Sequence, residues 1–358
     1  MDLFKGSKMN VLIIGANGFV GSHLTEKLLD LGHHVWGVVR DKKNSKINHP
    51  HFHLVEGDLL KEMPNLGETA FDVAYYLAHG MKAESALFEY YEVKAATAFA
   101  GWWRKLSGQK VIYLGGLGPS EDDLSPHLRS RQMTGKILAL GSSCLEFRAS
   151  IILGGDSLSY EMIRAISERL PFRPELKLLK TRCQPLALTD LLDYLIAALD
   201  LNMKGHQVIE IGGTEALPYG ELLDRYIELE KLKRKIIKLP DIDSVVFTKL
   251  LDYVVPEYSA VGKKLVESLA HETVVVEASA KEIFPHIHPK TLEEALQEAR
   301  SQSVHDYQPL WDRDFLKKLL SDKILTQAGL FSPEVLQHFE KVLKFKELVS
   351  SITTRKEK

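Results

Sequence analysis

The strongest chemical signal in the sequence is the run Gly15-Ala16-Asn17-Gly18-Phe19-Val20-Gly21. It follows a β-branched stretch, Asn10 to Ile14, and opens a segment from Phe19 to Leu31 in which Val20, Leu24, Leu28 and Leu31 recur at helical spacing. Strand, glycine turn and helix in that order make a phosphate cradle. The first glycine permits the tight turn, the second lets a pyrophosphate approach the backbone, and the third lets the helix lie close to the strand. The partial positive charge of the helix N-terminus favours the phosphates. A dinucleotide held by Gly15, Asn17, Gly18, Phe19, Val20 and Gly21 is implied.

The end of the next strand, His34 to Val39, selects the nucleotide. An acidic residue there would bind the ribose 2′-hydroxyl of NAD, whereas this chain has Arg40, followed by Asp41, Lys42 and Lys43. A guanidinium makes a charge-assisted, bidentate contact with a 2′-phosphate, so NADP is the expected cofactor. With Asp41 on the ribose, NAD is the alternative.

The elements that position these residues alternate regularly. After Gly32 and the second strand come strand-like Phe52 to Val55 and Phe71 to Leu77, and a long helix from about Ser85 to Leu106. The strand Lys110 to Leu114, a helix around Arg129 to Leu140, and Leu145 to Leu153 follow. Six strands alternating with helices predict an α/β fold, a doubly wound parallel Rossmann sheet, over residues 9–154. The rhythm then loosens into a smaller, mainly helical region, 155–305, expected to cover the carboxyl edge of the sheet on the substrate side. Within it, Ser159 to Arg169, Thr189 to Leu199 and Thr291 to Ala299 read as helices. Val208 to Ile211 reads as one more strand, Thr273 to Val276 as a further β-rich run, and segments near 180–212 as returning to the first domain. Residues 306–358 form a helical C-terminal extension of two amphipathic helices split near Gly329, the second opened by Ser332 as N-cap and Pro333 at the first helical position. Its stripe of Val335, Leu336, Phe339, Val342 and Leu343 is expected to pack against the body of the protein, with self-association through these helices as its other use.

Composition narrows the functional classes. The 358 residues carry 46 Lys plus Arg against 48 Asp plus Glu, a formal net charge of −2, which supplies no global field for nucleic acid or an anionic membrane. The early apolar run Val11 to Ile14 is too short for a signal-peptide core or a membrane span, and Met1 to Lys8 reads as a loose leader. Two cysteines, Cys144 and Cys183, make neither a disulfide framework nor a CxxC motif, which fits a reducing cytoplasm. No metal site is expected: His49, His51 and His53 alternate, but no Cys, Asp or Glu completes a zinc set. Trp102 and Trp103 before Arg104 and Lys105 read as aromatic packing at a helix end rather than as a base-stacking platform.

The glycine spacing, with Glu56-Gly57-Asp58-Leu59 after the third strand, resembles the extended and atypical short-chain dehydrogenase/reductases, including their sugar-nucleotide epimerase and NmrA-like branches. The likeness runs from Met9 to about Arg300. Particularly similar to one atypical branch are Tyr75-Tyr76-Leu77-Ala78-His79-Gly80-Met81, Tyr113-Leu114-Gly115-Gly116-Leu117-Gly118, Ser125-Pro126-His127-Leu128-Arg129-Ser130-Arg131, Arg182-Cys183-Gln184-Pro185 and Leu292-Glu293-Glu294-Ala295-Leu296. The resemblance implies that Asp58 and Leu59 lie against adenine, Ala78, His79 and Gly80 along the cofactor ribose, and Gly115 and Gly116 near the nicotinamide. It also implies an NAD(P)-dependent oxidoreductase or epimerase-type enzyme acting on a small carbonyl or sugar-nucleotide-like substrate.

Active members place a Ser after the fifth strand and Tyr-x-x-x-Lys on the next helix, where the Tyr exchanges a proton with the substrate. This chain has Gly115 and Gly116 at the first place and Gln132-Met133-Thr134-Gly135-Lys136 at the second. The Lys remains and the Tyr does not; a glutamine is no general acid. Lys136 is expected to hold the nicotinamide ribose, and His127, Tyr113 and Tyr160 are the substitute acids nearest in sequence, with His127 the candidate. The missing Ser and Tyr leave a second reading, a non-catalytic dinucleotide-binding redox sensor or assembly subunit.

Overall fold

Val11, Leu12, Ile13 and Ile14 are almost wholly buried, as a strand becomes when a parallel sheet is covered on both faces. The structure, a computed structural model, describes residues 7–78, 85–119, 125–256, 266, 269–303, 307, 312–333 and 335–344. The apolar run is β1 (Asn10–Ile14), followed along the chain by β2 (His34–Val39), β3 (Phe52–Glu56), β4 (Val73–Tyr76), β5 (Lys110–Gly116) and β6 (Ser143–Ala149). With the strand His206–Ile211 they form a seven-stranded sheet ordered His206–Ile211, β6, β5, β4, β1, β2, β3, parallel throughout. The chain order reverses between β1 and β4, the switch point at which doubly wound sheets open a crevice beyond the strand ends.

Alternation along β1 assigns the two faces. Val11 and Ile13 pack with Leu24 and Leu28 of α1 (Phe19–Asp30) and with Leu191 and Leu195 of the helix Leu188–Ala197. Leu12 and Ile14 pack with Phe99 and Trp103 of α2 (Ser85–Lys105) and Leu138 of α3 (Pro126–Ala139). Trp103 is fully buried and stacks on Phe99 at 6.1 Å. On the β2–β3 edge, His53 stacks on Trp36 at 4.4 Å and the His51 ring lies 4.3 Å from that of His34. Among the described residues no group of His, Cys, Asp and Glu could hold a metal ion, and no helix is long and apolar enough to cross a membrane.

The chain forms two compact units. The first comprises residues 1–153, 184–216 and 271–295, and the second 154–183, 217–270 and 296–358. Residues 271–295 thus lie with the sheet rather than with the smaller region, and 306–358 lies within the second unit. The second unit contains α4 (Leu158–Arg169) and the helices Tyr219–Leu229 and Ser244–Val254. It also pairs Phe172–Glu175 in parallel with Lys235–Lys238, and Arg182–Cys183 antiparallel to Leu217–Pro218.

Two expectations require correction. The β-rich run Thr273 to Val276 reduces to a single bridge at Thr273, whose carbonyl accepts from Gln184 N at 3.1 Å; beyond it Val275 donates its N–H to Gln184 Oε1 at 3.0 Å and Val276 to Glu210 Oε2 at 2.7 Å, so side chains take the place of a continued ladder. Among its described residues the C-terminal extension holds three helical stretches rather than two, Arg313–Ser321, Lys323–Gln327 and residues 335–344. Asp322, which accepts from the N–H groups of Ile324 and Leu325, ends the first and caps the second. In the third, Val335 donates its N–H to Ser332 Oγ, and the buried Phe339 meets Phe172 edge-to-face at 5.7 Å. The predicted stripe packs within its own unit.

Candidate functional site

At the β1–α1 junction the three glycines are required for three different reasons. Gly15 has φ +90°, and a Cβ there would meet the Leu77 carbonyl at 3.0 Å and the Ala78 nitrogen at 3.1 Å. A Cβ on Gly21 would lie 2.2 Å from Gly15 O, so only a glycine lets α1 start so close to β1. Gly18 is the N-cap of α1 and donates to Gly15 O at 2.9 Å. No side chain caps the helix and its first turn has no acidic residue, so the N–H groups of Phe19 and Val20 and the helix dipole present a cradle that suits a phosphate. A pyrophosphate fits the residues present.

The strand ends gather the other expected contacts around this loop. Asn17 Nδ2 donates to Asp41 O at 3.3 Å, tying the cradle to the segment carrying the exposed Arg40. Asp41 Oδ1 accepts from Lys43 N at 2.9 Å, capping its own short turn. Beyond β3, Gly57 donates to Val39 O at 2.9 Å, and Asp58 Oδ1 accepts from Leu60 N at 3.0 Å while Leu59 packs on the core. Beyond β4, Ala78 is half-buried against the same core, and its neighbours His79 and Gly80 lie outside the described residues. Gly15, Asn17, Gly18, Arg40, Asp58, Leu59 and Ala78 therefore all sit at the carboxyl ends of β1 to β4.

The β5–α3 region is built differently. Gly115 and Gly116 close β5, beside Arg148 and Ala149 of β6. A Cβ on Gly115 would meet Glu146 Oε1 at 3.0 Å, and one on Gly116 would meet Leu128 Cδ2 at 3.1 Å. Glu146, midway along β6 and fully buried, receives Arg148 Nε at 2.7 Å on Oε1 and lies 2.9 Å through Oε2 from His206 Nε2. The carboxylate also occupies the space over Gly135 of α3, where a Cβ would come within 1.9 Å of Oε2. The Arg148 guanidinium, a hydrogen bond with the His206 ring and the lack of a side chain on Gly135 let a carboxylate persist inside a sheet. Sequence reasoning missed Glu146; the available signal was one carboxylate within the apolar run Leu145-Glu146-Phe147 and a glycine inside a helix.

On α3, Ser125 Oγ accepts from Leu128 N at 3.2 Å and sets the start of the helix. His127 is half-buried in the first turn, Lys136 is exposed in the last, and Gln132 is 4 % exposed. The Gln132 Nε2 finds no hydrogen-bond partner among the described residues. Tyr113 is fully buried and donates to Arg131 O at 3.0 Å; burial pushes its phenol above the ordinary range, with Glu146 adding to the rise. Tyr160 lies buried on α4 in the second unit, where burial likewise raises it. Neither tyrosine is poised to release a proton near neutral pH.

Residues 11–123 match the model of the NAD dependent epimerase/dehydratase family. Among solved structures, the chain is similar to the Bordetella bronchiseptica enzyme WbmH in complex with NAD+, at 17 % identity and TM-score 0.60 over 83 % of this chain and 98 % of that one. It is also similar to the UDP-glucose 4-epimerase of Thermotoga maritima with UDP-glucose, at 15 % identity and TM-score 0.62, covering 82 % and 98 %. A third likeness is to the UDP-N-acetylglucosamine 4-epimerase of Bacillus cereus, at 14 % identity and TM-score 0.60, covering 83 % and 100 %.

Proposed function

We propose that this chain, whose residues 11–123 match the NAD dependent epimerase/dehydratase family, is a member of the extended short-chain dehydrogenase/reductase superfamily, binds NADP(H) and serves as an oxidoreductase or epimerase-type enzyme on a small carbonyl or sugar-nucleotide-like substrate. The observation that carries the reading is the β1–α1 junction, where Gly15, Gly18 and Gly21 leave room for a pyrophosphate at an uncapped helix N-terminus. Neighbours of the same fold were solved with NAD, which supports a nicotinamide dinucleotide. Arg40, exposed at the end of β2 and tied to the cradle through Asn17 and Asp41, supports the 2′-phosphate form.

When bound, the nicotinamide would supply the hydride acceptor or donor. The chain's own contribution is to hold the phosphates at Gly18 to Val20, the adenosine end beside Arg40, Asp58 and Leu59, and the nicotinamide end near Gly115 and Gly116. Lys136 is assigned to the nicotinamide ribose, and His127 is the candidate proton donor in place of the tyrosine that Gln132 replaces.

A second reading, a dinucleotide-binding sensor or assembly subunit without turnover, is favoured by one observation: the positions of the usual Ser and Tyr hold glycines and a buried glutamine. One set of measurements separates the two. Purified protein is titrated with NADPH and NADH by calorimetry, then assayed for hydride transfer against a panel of carbonyls and sugar nucleotides. Tighter NADPH binding with turnover that His127→Ala stops, at unchanged NADPH affinity, supports the enzyme. NADPH binding without turnover, converted to turnover by Gln132→Tyr, favours the sensor. Absence of dinucleotide binding sinks both.

A further inference from the structure

The second unit contains a cavity of about 390 Å³, within the size range of small-molecule sites. Arg164 and Glu168 of α4, Tyr226 and Glu230 at the end of the helix Tyr219–Leu229, Arg234, and Arg300 contribute its charged and aromatic lining. None of its lining residues belongs to the unit that carries the glycine loop.

Around it runs a lattice of charged side chains, most of them buried. Glu161, fully buried, accepts from Ser303 Oγ at 3.2 Å and from the Tyr307 hydroxyl, and lies 3.5 Å from Arg164 Nη1. Arg164 Nε reaches Glu168 Oε1 at 3.1 Å, and Glu168 accepts from the Tyr226 hydroxyl. Arg234 lies across the end of α4, donating to Ser167 O at 2.9 Å and Glu168 O at 3.2 Å. Arg300 Nε meets Glu230 Oε1 at 2.8 Å, and Arg169 stacks over the Tyr307 ring at 4.3 Å.

Two features of this lattice concern a ligand. The first is charge: Arg164, Arg234 and Arg300 line the cavity with Glu168 and Glu230, so its described lining carries one positive charge in excess. A net charge held in a partly desolvated concavity attracts a counter-charge more strongly than the same charge on an open surface. Burial also raises the Glu230 carboxyl above its ordinary value, against the pull of Arg300, and nearby Glu168 adds to the rise. The second is hydrogen bonding. The guanidiniums supply donors in fixed forks, while the carboxylates of Glu168 and Glu230 supply acceptors on the same walls. Donors alone would suit any anion; acceptors beside them suit a molecule that also has hydroxyl groups to donate.

We infer that this cavity is a binding site for a small hydroxylated anion, such as a sugar phosphate or a sugar acid, its acid group on the arginines and its hydroxyls on Glu168 and Glu230. The site is separate in its residues from the dinucleotide cradle, so the inference stands whether or not the proposed enzymatic function does.

Glucose 6-phosphate and gluconate serve as probes on the full-length protein, titrated calorimetrically at fixed ionic strength, with inorganic phosphate and glucose as half-ligands. Saturable one-to-one binding of at least one probe is expected, tighter than either half-ligand. Arg300→Gln, at a side chain more than half exposed and so dispensable for folding, should weaken it about tenfold, the scale of one hydrogen bond to a charged group. Glu230→Gln, which raises the positive excess, should strengthen acid-group binding, as read with inorganic phosphate. Lys61→Gln, on the exposed surface of the other unit, should leave it unchanged. The inference is overturned if neither probe binds at about 10 mM, a concentration covering the weak millimolar range, if Arg300→Gln binds as wild type does, or if inorganic phosphate binds as tightly as glucose 6-phosphate. Displacement of the probe by NADPH would also overturn it, since the probe would then occupy the cradle.

Discussion

Glycines mark both the β1–α1 junction and the β5–α3 region of the same sheet, and they make room for different things. At the junction, the space beside Gly18 faces the uncapped start of α1, and no side chain among the described residues fills it. At β5 and α3, the space beside Gly115 and Gly135 is filled by the protein's own Glu146, fixed by Arg148 and His206. A glycine in a family-like position is therefore no proof of a ligand. What occupies the missing side chain's volume decides: beside Gly115 and Gly135 it is Glu146, whereas beside Gly18 the described residues leave it open.

The largest expected effect tests the filled region. Glu146→Ala leaves Arg148 and His206 without their buried partner and opens a cavity, and should lower unfolding stability by about 3–5 kcal/mol, as breaking a buried pair does. Gly135→Ala should also be destabilising in the wild type. It should cost less when combined with Glu146→Ala, because the oxygen 1.9 Å from the added Cβ is gone. Equal costs in both backgrounds by denaturant unfolding would break the claim that this glycine serves the carboxylate.

Next comes the cradle. Gly18→Val should weaken NADPH binding about 100-fold, or about 2.8 kcal/mol, with an unchanged circular dichroism spectrum, since among the described residues the nearest atom to the added Cβ is Gly15 O at 3.2 Å. Retained affinity in a folded variant would show that this loop is no more ligand-directed than Gly135.

Arg40→Ala should weaken NADPH by about 2 kcal/mol, the scale of a hydrogen bond to a charged group, and leave NADH unaffected. A parallel loss for both nucleotides would place Arg40 in the cradle generally and remove it as the selector.

The smallest effect sets the background for these stability measurements. Burial lowers the imidazole of His33, which is buried, below its ordinary 6.5. His51 is lowered as well, by desolvation first and then by His34, His49, Lys8 and His53. Below neutrality the unfolded chain then binds more protons than the folded one. The contribution is present in full above pH 6.5 and is lost as pH falls through 6.5 towards the lowered folded values. Tm should fall between pH 7 and pH 5.5, and fall less in His51→Gln. A Tm that rises on acidification would contradict the sign.

The cradle was legible because everything that makes it lies within about thirty residues: three glycines in seven positions, an apolar strand before them and a helical stripe after. The bulk of the sheet was legible for the same local reason, and α3 and α4 fell near their expected places. Thr273 to Val276 kept only the bridge at Thr273 because β-branched residues favour an extended chain without specifying a partner. Gln184 and Glu210, 91 and 66 residues away in sequence from the N–H groups they accept, supplied bonds that a strand neighbour would otherwise have made.

By itself the sequence determined the alternation of strands and helices, the glycine turn and the basic residue at the end of β2, because each depends on the chemistry of neighbours in the chain. Only the tertiary structure decided what fills the space beside Gly115 and Gly135. Glu146 comes from another strand, and His206, 60 residues further on, reaches it because His206–Ile211 pairs with β6 in a register that sets His206 beside Cys144. The cavity of the second unit depends likewise on arginines drawn from segments as far apart as Arg164 and Arg300. Charge excess and shape are properties of side chains brought together across such distances, and no local pattern encodes them.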